Sequence, residues 1–551
     1  MKPVNMIDLI KKYPVLSICL FTAIMLIPNL DAIDVSIMEA RNFITAREMV
    51  NDGNWFLTTM NGEPRYQKPP LPTWLTAFSG ILFGIKSVFA LRLPSIMFVM
   101  LVAIGIFKIS QLLVKDTKQS LQNSFIALTS FYIIGITIEA PWDIFAHGFM
   151  CYAIYQLFLL FEKEREYWKH AIIAGCFIGF SILSKGPVSL YALMLPFLLA
   201  YGFTYKFKHF KAKVLSYLSV ILLAVIVGGW WYLYIRLHDV DTFNAIAENE
   251  TNNWSSYNVK PFYYYWSFFT QSGIWTIIAF ISLLYPYLKS RVNHLKAYQF
   301  SLVWTLLAVV LLSIIPEKKS RYLMPMLIPL AINIGFYIDY LIRCFKTMTD
   351  KRETFPVYFN FGLIASIGIT FPVLAYLFLK DNISNHLFTY IFASIVLFTL
   401  SVLIIFYLKR KNMNIVFRLT VLFFASILLT ALPLAESFRS TSYNSISDLK
   451  TEAERQGFKI YGNNYISPEM IWYFGGKIPF ISLEEGIDKL PIEHKFGLLT
   501  AEPLDERVLL NLGNNFMIHK ITTYNLNRVS ETSKKYKNRL LNVYYIFERR
   551  M

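Results

Sequence analysis

Along most of the chain, long apolar runs alternate with short polar connections. The runs fall near 14–30, 71–86, 89–113, 122–138, 143–161, 170–184, 187–205, 214–235, 262–287, 298–315, 323–342, 357–379, 386–408 and 414–434. Runs of this length predict membrane-crossing helices. After about residue 435 the pattern shortens. FKIYG, KIPFI, KFGLLT, FMIHKI and NVYYIF read as strands, and SPEMIWYF, SLEEGIDKL and LDERVLLNL as helices. The expected architecture is a transmembrane domain over 1–435, with a first outer-face loop at 31–88, and a small α/β domain over 436–551.

Charge decides which runs cross. Strongly basic connections at 115–118, 205–213, 289–296, 343–352 and 409–418 recur at every second position. They are read as cytoplasmic, because Lys and Arg accumulate on that side. The 89–113 run then heads inward from the face that residues 31–70 already occupy, so 71–86 does not cross. Gly80, Gly84 and the preceding Pro69, Pro70 and Pro72 suit a re-entrant or interfacial helix there. About 13 crossings result, with the N-terminus cytoplasmic and the C-terminal tail outside. Lys2, Lys11 and Lys12 precede the first run and no small-residue cleavage site closes it, so a retained first helix is expected.

Composition narrows the class. The chain is 55% hydrophobic, with a mean hydropathy of +0.44, which excludes an ordinary soluble enzyme. The net charge of +17 is assigned to the cytoplasmic connections rather than to nucleic-acid binding. Cys19, Cys151, Cys176 and Cys344 lie in or at the ends of apolar runs and have neither disulfide-framework nor zinc-ligand spacing.

The candidate chemistry gathers on the outer face. Residues 39–50 read as an amphipathic helix on the membrane surface, with Ala40, Phe43, Ile44 and Val50 near one side. Gly53 ends it, and Asn61-Gly62 marks a hairpin. Glu39 opens the helix as either a dipole-favoured charge or a catalytic carboxylate, and Asp34 could share either role. Lys68, stiffened by prolines, is a candidate for an anionic head group, with Arg65 a second candidate and Arg92, in ALRLPS, at the start of the next run. Tyr66 and Gln67 flank that lysine as candidate sugar contacts. Asp143, next to Glu139, is either a helix cap or a functional group inside an apolar run.

Lys185 in SKGP, and Lys318, Lys319 and Arg321 in PEKKSRYLMP, put positive charge where the outer face should have little. Such cations imply a bound anion, most simply a phosphate. The segment 248–266 adds Glu248, Glu250, Trp254 and further aromatics, which suit either an interfacial belt or sugar stacking. His147 reads as a packed polar group. Carboxylates and cations beside lipid suggest transfer from a lipid-phosphate donor. A phosphate leaving group needs positive charge more than a strong acid, and a hydroxyl acceptor needs a base.

EARNFITAREM, GNW, RYQKPPLPTW, LFG, LRLPS, SKGP, PFYYYW with GIW, and KKSRYLMP together resemble segments of one family in the same order. These are the lipid-A 4-amino-4-deoxy-L-arabinose transferases, within the dolichyl-phosphate-mannose–protein mannosyltransferase-like family of GT-C fold. The resemblance implies a bacterial inner-membrane glycosyltransferase with its active site and C-terminal domain in the periplasm. It implies a sugar moved from undecaprenyl phosphate to lipid A or another periplasmic acceptor, with 4-amino-4-deoxy-L-arabinose the sugar suggested.

Carried over by residue, Glu39 matches the glutamate of the family's Asp-Glu pair, whose aspartate position is Met38 here. Lys68 matches the lysine of Glu-Lys-Pro, with Gln67 at the glutamate. Asp143 matches an active-site aspartate and Lys185 the phosphate-binding lysine. Glu250 and Asn253 stand at the family's histidine and arginine positions. No cofactor is implied with certainty, and a divalent metal stays an open alternative. Other readings are transfer to a protein or surface glycan, or a non-enzymatic flippase. The flippase would place charges within the helices along a path, whereas these runs are nearly charge-free.

Overall fold

The computed structural model describes residues 6–130, 133–135, 141–379, 383–483 and 490–550. Among them, nine helices, from Val88–Val114 to Met413–Ser437, are long and apolar enough to cross a membrane. Three of the other four expected crossings are short or broken, and the second half of the fourth, at 122–138, lies largely outside the described residues. Pro14–Leu26 is a 13-residue helix, and Thr117–Leu128 covers the start of the 122–138 run. Leu190–Met194 is a π-turn leading into Leu195–Thr204. Phe268–Trp275 is a 3₁₀ helix kinked at Gly273 (φ 64°) before Thr276–Ser282. Backbone irregularity of this kind persists at membrane depth where protein covers it.

The chain divides into two compact units. The first comprises Met1–Leu30, Tyr66–Pro72 and Arg92–Leu434. The second comprises Asp31–Arg65, Thr73–Leu91 and Ala435–Met551. The division therefore does not follow a single cut near 435: two pieces of the first loop cluster with the C-terminal part.

In the first unit, Tyr167–Lys185 packs on Val214–His238 through small residues. A Cβ added at Gly179 would lie 2.5 Å from Val227 Cβ, and one at Gly228 would lie 2.7 Å from Ile182 Cβ. Small residues let two helix backbones approach closely in lipid. That contact fixes the helix whose last residue is Lys185.

The second unit has a short hairpin of β1 (Thr59–Met60) and β2 (Glu63–Pro64) and is built around a mixed sheet of β3 (Lys459–Asn463), β4 (Phe480–Ile481), β5 (Lys495–Thr500), β6 (Phe516–Asn525) and β7 (Leu541–Arg549), in the order β4-β3-β5-β7-β6. All five expected strands form, as do helices Pro468–Phe474 and Glu506–Gly513. The helix expected at 482–490 lies largely outside the described residues. β3 pairs in parallel with β4 and β5, and β7 pairs antiparallel with β5 and β6. Successive side chains of a strand point to opposite faces. In β7, Tyr544 joins a core with Phe43, Ile44 and Trp472, whereas Val543, Tyr545 and Phe547 join one with Phe496, Leu512 and Phe516. Both faces are covered, so the strand reads as a nearly unbroken apolar run.

The first-loop helix, Ile37–Asp52, starts in a capping box between Ser36 and Glu39 and stops at Gly53 (φ 77°). It does not lie on a surface with one face free, as its amphipathic pattern suggested. Within the second unit it is buried nearly all round, including Asn42, Thr45, Arg47 and Glu48. Each polar group has a partner that makes burial tolerable. Asn42 bonds Thr76 and Thr73 at 2.9 and 2.7 Å, and Arg47 donates to the carbonyl of Gly476 at 3.1 Å. Glu48 accepts from Asn61 N at 2.6 Å and Gly62 N at 3.1 Å. That clamps the expected hairpin between β1 (Thr59–Met60) and β2 (Glu63–Pro64), whose Asn61 and Gly62 both take positive φ. Leu71–Phe83 has 13 residues. At about 1.5 Å per residue it is too short to span a bilayer, and it exposes Phe78, Ile81, Leu82 and Phe83.

Candidate functional site

The site is assembled at one turn of the first unit. Tyr167–Lys185 ends at Gly186, whose φ of 73° and ψ of −159° only glycine adopts easily. The turn presents the Lys185 ammonium to the Asp143 carboxylate on the first turn of helix Pro141–Glu162, and the two form a buried ion pair. Only Asp143 Oδ1 is engaged. Oδ2 is buried and has no hydrogen-bond partner among the described residues. One turn deeper, Ser189 and His147 Nδ1 share a buried 2.9 Å hydrogen bond, and His147 Nε2 lies 3.8 Å from Asp143 Oδ1. Ser189 follows the Lys-Gly-Pro turn, so this bond ties the turn to the helix that carries Asp143.

Two further cations reach Lys185 electrostatically, Lys68 and Arg321. Lys68 belongs to the Tyr66–Pro72 segment. It lies 3.5 Å from Glu250, and both side chains are partly exposed. Tyr66 donates to Asp239 Oδ2 at 2.8 Å. Burial, and then Asp239, push the Tyr66 phenol upward. Asp239 is held below its ordinary range by its bond with Thr242 and then by Tyr66. These two contacts link the segment carrying Lys68 to the helix Val240–Ser256, most of which is exposed. Arg321 Nε is buried and without a partner among the described residues. Lys185 also lies 5.3 Å from the ring centroid of Tyr322.

The other two members of the 318–321 cluster do not join Arg321. Lys318 is buried and donates to the carbonyls of Ile315 (2.6 Å) and Lys260 (3.1 Å). Burial lowers its pKa. Lys319 is paired with Glu317 at 2.5 Å and lies over Tyr257. Lys319 has an extended backbone, so it and its neighbour Lys318 point to opposite sides, and Arg321 lies on the 3₁₀ turn Ser320–Leu323 that follows.

Several other sequence candidates have structural partners instead. Glu39 is buried, and its Oε2 accepts from Ser36 N at 3.0 Å. Asp34 binds Arg528, through Nη2 at 2.6 Å, and Arg439 at 3.4 Å. Arg65 donates to Arg41 O and Thr45 Oγ1 at 3.1 and 3.0 Å. All three belong to the second unit. Arg92 is buried and donates to Leu30 O at 2.7 Å. Gln67 is exposed. The Trp254 side chain and Glu139 lie outside the described residues. Sequence reasoning passed over Asp239, Tyr322 and Ser189, and took His147 for packing. A hydroxyl two residues after Lys-Gly-Pro and a histidine four residues after Asp143 were the available signals, because i,i+4 residues share a helix face.

The geometry is a buried carboxylate with one unpartnered oxygen, an ammonium on its other oxygen, and two more cations within electrostatic reach of that ammonium. It can hold an anionic group against Lys185, Lys68 and Arg321, and it can accept a proton at Asp143. No three of His, Cys, Asp and Glu gather as a metal site among the described residues, and Asp143 meets an ammonium rather than a second carboxylate.

Comparison with known proteins follows the same lines. Residues 67–231 match the family described as dolichyl-phosphate-mannose-protein mannosyltransferase. The chain is 26% identical over 351 residues to an undecaprenyl phosphate-alpha-4-amino-4-deoxy-L-arabinose arabinosyl transferase of Proteus mirabilis, a match covering 61% of this chain and 59% of that one. It is 24% identical to the protein of that name from Pectobacterium atrosepticum, over 55% of this chain and 54% of that one. The chain thus matches less than two thirds of these relatives' length. The crystal structure of ArnT from Cupriavidus metallidurans in the apo state superposes with a TM-score of 0.69 at 13% identity, covering 97% of this chain and 98% of that one. The same protein bound to undecaprenyl phosphate gives 0.66, with the same identity and coverage. The chain is a multi-pass membrane protein with the GT-C fold of ArnT, and its residues 67–231 are similar to the dolichyl-phosphate-mannose-protein mannosyltransferase family.

Proposed function

We propose that this chain is a polyprenyl-phosphate-sugar-dependent glycosyltransferase of a bacterial inner membrane. It moves a sugar from undecaprenyl phosphate to a periplasmic acceptor, with lipid A the leading acceptor and 4-amino-4-deoxy-L-arabinose the leading sugar. The active site and C-terminal domain face the periplasm. The observation that carries this reading is the buried pair of Lys185 with Asp143, whose Oδ2 has no partner among the described residues, with Lys68 and Arg321 within electrostatic reach of Lys185. The relatives' names and the undecaprenyl phosphate bound by a protein of the same fold support it.

In this reading the sugar–phosphate bond breaks with the phosphate as leaving group. The three cations stabilise the negative charge that develops on it, and this preorganised field is the main catalytic contribution. Asp143 Oδ2 takes the proton of an acceptor hydroxyl as the new glycosidic bond forms. Lys185 orients Asp143 through Oδ1. Ser189 and His147 tie the Lys-Gly-Pro turn to the helix that carries Asp143. Among the carboxylates first singled out, Asp143 is the proposed base, because Glu39 caps a helix and Asp34 is held by Arg528 and Arg439.

The test is transfer from defined polyprenyl-phosphate sugars to lipid A by purified protein. Product from the wild type and its loss in Lys185→Ala support both the reaction and the phosphate site. Product with a peptide or a surface glycan, and none with lipid A, would change the acceptor alone. Full transfer by Lys185→Ala would overturn the site.

A further inference from the structure

The second unit contains a cavity of about 250 Å³ that the proposed reaction does not use. Three cations line it, Arg47, Lys86 and Lys450, together with the hydroxyl-bearing residues Ser447 and Thr451 and the aromatic Trp472, over whose ring Arg47 lies. No acidic side chain lines it among the described residues. The nearby carboxylates are largely committed elsewhere. Glu48 clamps the hairpin turn at Asn61 and Gly62, and Asp52 pairs with Lys477 at 2.9 Å. Glu454 stands 3.8 Å from Lys450 but is mostly in solvent. Arg47 is buried and held by the carbonyls of Ile471, Trp472 and Gly476, so its charge is fixed in place. Lys86, Ser447 and Thr451 are exposed, which gives a ligand access.

Like charges grouped around a void repel one another, and an anion relieves that repulsion. Hydroxyls and an aromatic face beside them are the groups that contact a sugar ring. At 250 Å³ the cavity is smaller than the roughly 300–1,000 Å³ of drug-sized sites, so it suits a head group and not a whole lipid. We propose that the cavity lined by Arg47, Lys86 and Lys450 is a binding site for a phosphorylated sugar. It rests on the glycosyltransferase reading in one respect: a phosphorylated acceptor head group is then a natural source of that ligand. A free sugar phosphate has the same chemistry.

The experiment uses the full-length protein in detergent and the variant Lys86→Gln/Lys450→Gln, leaving Arg47 in place because it pins three carbonyls. Glucosamine 1-phosphate is titrated by calorimetry beside unphosphorylated glucosamine, and undecaprenyl phosphate serves as the control ligand. The wild type binds the phosphorylated sugar, more weakly as salt rises, and does not bind glucosamine measurably. The variant loses about tenfold in affinity, as two removed charge contacts at a half-open site would cause, and binds undecaprenyl phosphate unchanged.

A raised KM for phosphorylated lipid A in the variant, with donor KM constant, identifies the acceptor as the source. An unchanged acceptor KM with weakened sugar-phosphate binding identifies a free ligand. Equal sugar-phosphate binding by variant and wild type, or none by a wild type that binds undecaprenyl phosphate, overturns the site. Failure of undecaprenyl phosphate to bind, with sugar-phosphate binding still lost in the variant, would instead remove the donor reading and leave this one standing.

Discussion

Lys185 and Asp143, 42 positions apart, form a buried ion pair that uses only one of the two carboxylate oxygens. Their side chains are 9% and 2% exposed, so neither charge is well hydrated by itself. Removing one partner strands the other, which typically costs about 3–5 kcal/mol, whereas replacing both with apolar groups costs much less. Lys185→Ala and Asp143→Ala should each lower the unfolding midpoint in detergent clearly, and Lys185→Met/Asp143→Leu should lower it less than either. All three should abolish transfer. Equal destabilisation by singles and double would show that the pair is not coupled.

Lys318 and Arg321 are three residues apart and should behave oppositely. Lys318 makes two charge-assisted bonds to carbonyls, each worth about 1.5–3 kcal/mol. Lys318→Met should therefore reduce thermal stability and leave undecaprenyl phosphate affinity within about twofold in the protein that remains folded. Arg321 forms no ion pair among the described residues, and Arg321→Ala should keep stability while weakening that affinity about tenfold or more. A stable Lys318→Met that fails to bind would return that lysine to the phosphate site.

Glu39 offers a sharp separation of capping from catalysis. Glutamine at the third helical position can still accept the backbone bond of a capping box. Glu39→Gln should retain stability and most transfer activity. Glu39→Ala should lose roughly 0.5–2 kcal/mol, as cap removal does. A stable Glu39→Gln with transfer reduced a hundredfold would make this carboxylate catalytic after all.

The Tyr66–Asp239 bond predicts a pH dependence. Asp239 has a folded pKa held below its unfolded value, first by Thr242 and then by Tyr66. Its contribution is fully present above the unfolded value, near pH 4. It is lost as the pH falls through the lower folded value. Protection of the Val240–Ser256 amides, taken relative to the intrinsic exchange rate at each pH, should therefore be higher at neutral pH and fall below about pH 4. Tyr66→Phe should move the Asp239 titration upward and quicken exchange at neutral pH. An unchanged titration in that variant would show that the bond does not anchor the helix.

Much of this protein was legible along the chain because a bilayer imposes simple rules. Length and apolarity marked the helices, and the alternation of basic connections set which runs could cross and set 71–86 apart. Asn61-Gly62 announced its hairpin because few residues tolerate two successive positive φ values. The five strands of the larger sheet showed in short β-branched and aromatic runs. Lys185 and Asp143 were each visible as a charge at an apolar boundary, but nothing in the sequence stated that they touch.

What only the tertiary structure decided concerns partners. Helix 37–52 has an amphipathic sequence pattern, yet the second unit covers its polar face because Asn42, Arg47 and Glu48 all find bonds there. Lys318, Lys319 and Arg321 look alike in a string of letters, and the backbone sends them to carbonyls, to Glu317 and toward Lys185 respectively. A sequence fixes which groups are charged and how far apart they lie along the chain. Whether a charge is available to a ligand depends on which distant group has already neutralised it, and that is settled only when the chain is packed.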